Sequence, residues 1–245
     1  MQLRISLTRS LRYLRLLLGW SRRAAFGQGR TTVGKVFCVG FNKTGTSSLT
    51  RVLADMGYQA YHRTDWADIS NMSDPILVRH DAFADGELAP VEDLAAAYPD
   101  ARFVLNTRAL LPWLVSRVAW VEHRQSVGKT GSMREELESL GLHAAVDLWV
   151  ERRDQYHRRV LNFFAGRPDS PLVIDFTTDD DALNRLQKFV GRTPATIQEM
   201  PHINPSSEDR DRERIRSAVI GVLEDLGMGC ADHETLLVTS RLLRE

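Results

Sequence analysis

The chain has only two cysteines, Cys38 and Cys230, too few for a disulfide framework and without the spacing of a zinc site. Cys38 sits within an apolar run and reads as a small buried hydrophobe, so the working compartment reads as reducing. Long apolar runs are also missing. No stretch reaches the roughly 18–20 uninterrupted apolar residues of a membrane span, because arginine breaks every such run near the start of the chain. There are no internal repeats, and the formal net charge of +0 argues against a dedicated nucleic-acid binder. Acid is absent locally: no Asp or Glu precedes Asp55, while Lys and Arg recur throughout that stretch.

What is present first is a basic leader over residues 1–30, in which Leu3, Leu7, Leu11, Leu14 and Leu18 share one helical face beside Arg4, Arg9, Arg12 and Arg15. Three readings stay open: a helix packing on its own domain or on a partner, an interfacial helix on anionic lipid, or a targeting segment. With 43% apolar residues over 245 positions, the remainder, 31–245, suffices for one core and one domain. The expected location is cytoplasmic, with peripheral membrane contact through residues 1–30 under the lipid reading.

Lys35–Leu53 organises the rest. Lys35-Val-Phe-Cys-Val-Gly-Phe41 is a short run rich in β-formers, suited to a strand covered on both faces. Asn42-Lys43-Thr44-Gly45-Thr46-Ser47-Ser48 follows as a turn, and Leu49, Val52, Leu53 and Met56 then recur at helical spacing. This places backbone N–H groups, small hydroxyls and one ammonium at a helix N-terminus, a site for phosphate or sulfate. Gly40-x4-Gly45-Thr46 has the glycine spacing of a nucleotide-triphosphate loop, but Thr46 stands where that loop needs lysine.

Strands and helices alternate downstream, which predicts an α/β fold of three layers around a mainly parallel sheet. Tyr58–Tyr61 reads as the second strand, with His62 and Asp65 beyond its end, where a base would stand. Pro75–Val78 reads as a short strand or buried turn, and Asp81 and Asp85 after it are candidates to line an acceptor site. Val91–Tyr98 reads as a helix, Arg102–Thr107 as a strand, and a helix follows Pro112. The glycine-rich segment from Gln125 to Arg134 is a candidate lid, Leu142–Phe164 a long helix, Pro171–Phe176 the last buried strand, and the stretch from Ser206 the start of a terminal helix. No His, Cys or carboxylate cluster has metal-ligand spacing, so no metal is expected.

Phe-Asn-Lys43-Thr-Gly-Thr-Ser-Ser-Leu resembles the 5′-phosphosulfate loop of the sulfotransferase family, with Asn42 in place of the usual proline. Arg108 at a strand end and Ser116 eight residues later resemble that family's 3′-phosphate pair, and Pro201-His202-Ile203-Asn204 resembles a further family segment. The resemblance runs from about Lys35 to Pro205. It departs at Ala109, where many relatives carry Asp, and in lacking a late Arg-Lys-Gly clamp. It implies a P-loop-like fold and an enzyme that moves a sulfuryl group from 3′-phosphoadenosine 5′-phosphosulfate to a hydroxyl of a carbohydrate, glycolipid or small alcohol. It also implies site roles: Asn42, Lys43, Thr44, Gly45, Thr46, Ser47 and Ser48 for the 5′-phosphate, Arg108 and Ser116 for the 3′-phosphate, Lys43 for catalysis, and Asp65 ahead of His62 as base. The alternatives are a nucleotide kinase-like phosphotransferase and a non-catalytic module that binds the bisphosphate nucleotide.

Overall fold

Val36–Cys38 forms the first strand, β1, and all of its residues are fully buried, as the uninterrupted apolar run requires. The structure, a computed structural model, describes residues 34–167, 171–201 and 210–240, all within the unit Gly34–Glu245. The basic leader of residues 1–30, His202 and Asn204 lie outside the described residues. Four further strands follow: β2 (Ala60–His62), β3 (Ala82–Ala84), β4 (Arg102–Asn106) and β5 (Leu172–Ile174). They pair in the order β2-β3-β1-β4-β5, and every pairing is parallel. In register, Phe37 lies beside Phe83 on one side and Phe103 on the other.

That register builds the core. Phe37 stacks on Phe83 at 5.0 Å and on Phe103 at 5.6 Å between ring centroids. This aromatic face packs under α3 (Val91–Ala97), α4 (Leu110–Ser126), α5 (Ser132–Phe164) and α7 (Arg210–Asp225). The alternate residues Val36, Cys38 and Val104 face the other way, as the two-residue period of a strand dictates, toward α1 (Thr46–Asp55) and α6 (Ala182–Val190). Burial pushes the Cys38 thiol far up, so it is an inert packing group. The result is the expected three-layer, P-loop-like α/β fold, with a sheet that is parallel throughout.

One element differs from expectation. Pro75–Val78 is not a strand but the start of a short helix, α2 (Pro75–Arg79): Asp74 accepts a hydrogen bond from the Ile76 amide at 2.8 Å, and Pro75 fills the first turn, where no N–H is needed. The strand of this region is instead Ala82–Ala84, so Asp81 and Asp85 stand at its opposite ends. The expected helix Leu142–Phe164 forms the second part of α5, entered at Gly141, whose φ of 76° and ψ of 170° break the helical ladder and set it apart from a preceding stretch that starts at Ser132. A last short helix, α8 (Cys230–His233), follows α7. Among the described residues no helix is long and apolar enough to cross a membrane.

Because β1 is central and its neighbours β3 and β4 connect to opposite halves of the sheet, the crevice beyond the carboxyl ends of these strands is where such a sheet binds ligand. The segments after β1, β2, β3 and β4 all end there.

Candidate active site

The turn after β1 is held by a side chain far along the sequence. Asn106, buried at the end of β4, accepts a hydrogen bond from the Gly40 amide at 3.0 Å and donates to the Thr44 hydroxyl at 2.7 Å. Thr44 in turn donates to the Phe41 carbonyl at 2.6 Å. Gly40 is obligatory here, since a Cβ would lie 1.7 Å from the Asn106 carbonyl oxygen. Gly45, at φ 85°, turns the chain into α1 with no side-chain cap and no acidic residue in the first helical turn. The first amides of α1 therefore lack intrahelical partners and carry the positive end of the helix dipole, the arrangement that receives an anion.

Lys43 adds the ammonium, on a backbone held at φ 67°, a conformation that costs a non-glycine residue energy and recurs at functional sites. Burial lowers its pKa to about 8; Arg117, Arg108 and Arg124 push the same way, and Asp85 opposes them. The ammonium lies 4.7 Å from the ring centre of Trp120, which the Arg124 guanidinium also approaches, at 4.6 Å. Trp113, on the same face of α4, donates to the Asn42 carbonyl at 3.0 Å. Ser116 lies between Trp113 and Trp120 at helical spacing, so it shares the face of α4 that meets the loop.

Arg108, beyond the end of β4, reaches the Lys43 carbonyl at 3.3 Å, while its buried Nε has no protein partner among the described residues. Burial lowers its pKa and Arg212 adds to this, while the Asp175 carboxylate opposes them. Asp175, at the end of β5, thus faces Arg108 electrostatically although Ala109 follows the arginine. The backbone around Arg108 is braced from the far end of the described chain. Arg153 donates to the carbonyls of Arg108 at 3.2 Å, Thr235 at 3.0 Å and Leu237 at 2.9 Å. The Leu110 amide donates to Thr235, and the Thr107 hydroxyl to the Leu236 carbonyl.

On the other flank, His62 at the end of β2 places Nε2 3.0 Å from Asp85 Oδ2 and 3.1 Å from the Thr46 hydroxyl. Burial alone would raise the Asp85 pKa, but hydrogen bonds from His62 and Thr46 and the charges of His62 and Lys43 hold it below the usual carboxylate range. Asp85 and Leu88 both adopt positive φ, at 64° and 63°, so the segment after β3 is strained where it meets the loop. Asp65 turns elsewhere: it accepts from the Tyr61 hydroxyl at 3.1 Å and pairs with Arg63 at 3.2 Å.

The structure therefore gathers Lys43, Thr46, His62 and Arg108 at one crevice, with Ser116 on the facing helix, and directs Asp65 into a local pair. The hydroxyls of Thr44 and Thr46 are engaged within the protein. Sequence reasoning missed Asn106, Asp175 and Trp120, and left Asp85 as one of two equal candidates. The segment considered as a lid is a short connection between α4 and α5, fastened by Arg124 to the Thr130 carbonyl and by Arg134 to the Lys129 carbonyl.

A comparison with curated proteins gives no match. Residues 35–207, however, match the family model described as a sulfotransferase domain, a stretch that contains the anion loop, the His62–Asp85 pair, Arg108 and Ser116. A sheet in P-loop-like order, an uncapped helix start carrying a displaced lysine, and this match over more than half of the sequence agree: the chain belongs to the sulfotransferase domain family.

Proposed function

We propose that the protein transfers a sulfuryl group from 3′-phosphoadenosine 5′-phosphosulfate to an acceptor hydroxyl. The observation that carries this reading is the pairing of an uncapped helix N-terminus and Lys43 with a second cation, Arg108, whose buried Nε is unpartnered. One donor set suits a 5′-phosphosulfate, and the other, a short distance along the sheet, suits a second phosphate. When bound, the donor would supply an activated sulfuryl group on a phosphate leaving group.

The remaining chemistry falls to this chain. The amides of Thr44, Gly45, Thr46, Ser47 and Ser48, with Asn42 shaping the turn, hold the 5′-phosphate; Arg108 and Ser116 hold the 3′-phosphate. Lys43 neutralises the charge that develops on the leaving oxygen, a role for preorganised cations in group transfer. His62 is the base. Its Nε2–H donates to Asp85, which leaves Nδ1, without a protein partner among the described residues, to take the acceptor proton, while the carboxylate stabilises the imidazolium formed. Asp65, occupied by Tyr61 and Arg63, anchors the turn after β2 and is not the base in this reading.

Calorimetric titration with adenosine 3′,5′-bisphosphate against ATP with magnesium tests the donor site. Bisphosphate binding that disappears in Arg108→Ala, with no binding of ATP, supports the reading; preference for ATP refutes it. Lys43→Ala should lower turnover by about tenfold to a thousandfold, as for loss of one charge-stabilising donor, and should weaken bisphosphate binding by a smaller factor.

A further inference from the structure

Helix α4 meets the loop at three successive residues. Trp113 packs edge to face against Phe41, with ring centroids 5.5 Å apart, and its N–H donates to the Asn42 carbonyl at 3.0 Å. Trp120 stands seven residues on, two helical turns along the same face, and meets Lys43. The first tryptophan is buried and grips the backbone, while the second is half-buried and grips a charged side chain.

The Lys43 ammonium forms no hydrogen bond or ion pair among the described residues, so its three N–H donors are unspent. The carboxylate whose charge reaches it, Asp85 beyond β3, is tied to His62 at 3.0 Å. The other charges that face it are cations: Arg117 and Arg124 on α4, and Arg108 beyond β4. The amides that open α1 add positive potential. What holds the ammonium is the Trp120 ring, 4.7 Å away, and the Arg124 guanidinium lies 4.6 Å from the same ring. Arg124 is itself tethered, donating to the Thr130 carbonyl in the connection to α5.

We propose that Trp120 is a positioning residue for Lys43: its ring holds the ammonium in place beside the anion loop, and Arg124 pins the ring. The inference rests on the sulfotransfer reading. A ring suits this role better than a carboxylate. Its electron-rich face attracts an ammonium without net charge, so it neither repels an anionic donor nor occupies the N–H groups that the donor's oxygens must take. A lysine left free would spread its four-carbon stem over many rotamers, and among three arginines it would lose its proton more readily. Arg124 acts in two senses, fixing the ring mechanically while its charge opposes that of the lysine. Ring and arginine thus bias one proton in opposite directions, a signature that a merely packed tryptophan lacks.

Calorimetric titration with adenosine 3′,5′-bisphosphate, repeated at pH values on both sides of about 8, reads this out. Lys43→Arg gives the baseline without deprotonation at that position. Tryptophan fluorinated on the indole is placed at position 120 by amber suppression, which keeps the ring's shape and withdraws electron density from its face. The pH at which affinity falls should drop by about half a pH unit or more, a cation–π contact expressed as a shift. Trp120→Phe, which keeps a weaker ring, should give a smaller drop, and Arg124→Gln should move the midpoint upward. A midpoint that the fluorinated ring leaves unmoved or raises, or that Arg124→Gln lowers, overturns the inference while bisphosphate binding, and with it the donor reading, stands. No bisphosphate binding by the unaltered protein overturns the sulfotransfer reading and this inference with it.

Discussion

Lys43 is a lysine whose charge is conditional. Burial and three arginines bring its pKa to about 8, so above that pH the free protein holds it largely neutral. A bound phosphate favours the ammonium, so binding in this range draws a proton from solvent. Bisphosphate affinity should therefore weaken as pH rises through about 8, and calorimetry in buffers of different ionisation enthalpy should show proton uptake at pH 8.5 that vanishes in Lys43→Arg. The flanking pair makes a second prediction. His62→Ala and Asp85→Asn should each lower kcat by about a hundredfold, the ordinary contribution of a general base, without moving bisphosphate affinity, whereas Asp65→Asn should leave kcat within a few-fold. Lys43 and Arg108 were legible in the sequence because each sits in a contiguous motif. Asp85 was not distinguishable from Asp81 there: only the limits of β3 show that one carboxylate follows the strand and the other precedes it.

Between β1 and α1, the loop depends on β4. The Gly40 amide and the Thr44 hydroxyl both end on Asn106, more than sixty residues away in sequence. Asn106→Ala leaves a buried N–H without its acceptor, a cost of about 1–3 kcal/mol, and frees the turn that aims Lys43. Urea unfolding should register the first effect, and a loss of bisphosphate affinity the second, although the side chain touches no ligand in the proposed site. Contacts of this range have no local signature, which is why the loop was readable as an anion site while its support was not. The same limit explains α2. Four residues from Pro75 to Val78 are too few for their apolar period to separate strand from helix, and the decisive feature was the cap from Asp74.

Across the whole molecule, the parallel sheet and its flanking layers followed from the alternation of apolar strands and amphipathic helices, a pattern spread over many residues and robust to errors at any boundary. The brace on Arg108 had no such pattern. Arg153 and Asp154 are buried neighbours, 2% and 3% exposed; burial, partly opposed by Asp154, brings the arginine to a pKa of about 10. Asp154 takes the amide and hydroxyl of Thr239. Arg153→Met would strand Asp154 and release the carbonyls of Arg108, Thr235 and Leu237, a loss on the order of 3–5 kcal/mol for a broken buried pair. A lowered thermal midpoint together with weakened bisphosphate binding, from a residue on α5, is the expected result.

That brace also sets an order of events in synthesis. All five strands precede Thr235–Leu237 in the sequence, so the sheet and the anion loop can form while the backbone at Arg108 still lacks its support. A nascent chain whose five strands had emerged before Thr235–Leu237 were made would present a folded sheet without the brace on Arg108, and bisphosphate binding at the proposed site would follow only once that segment docked.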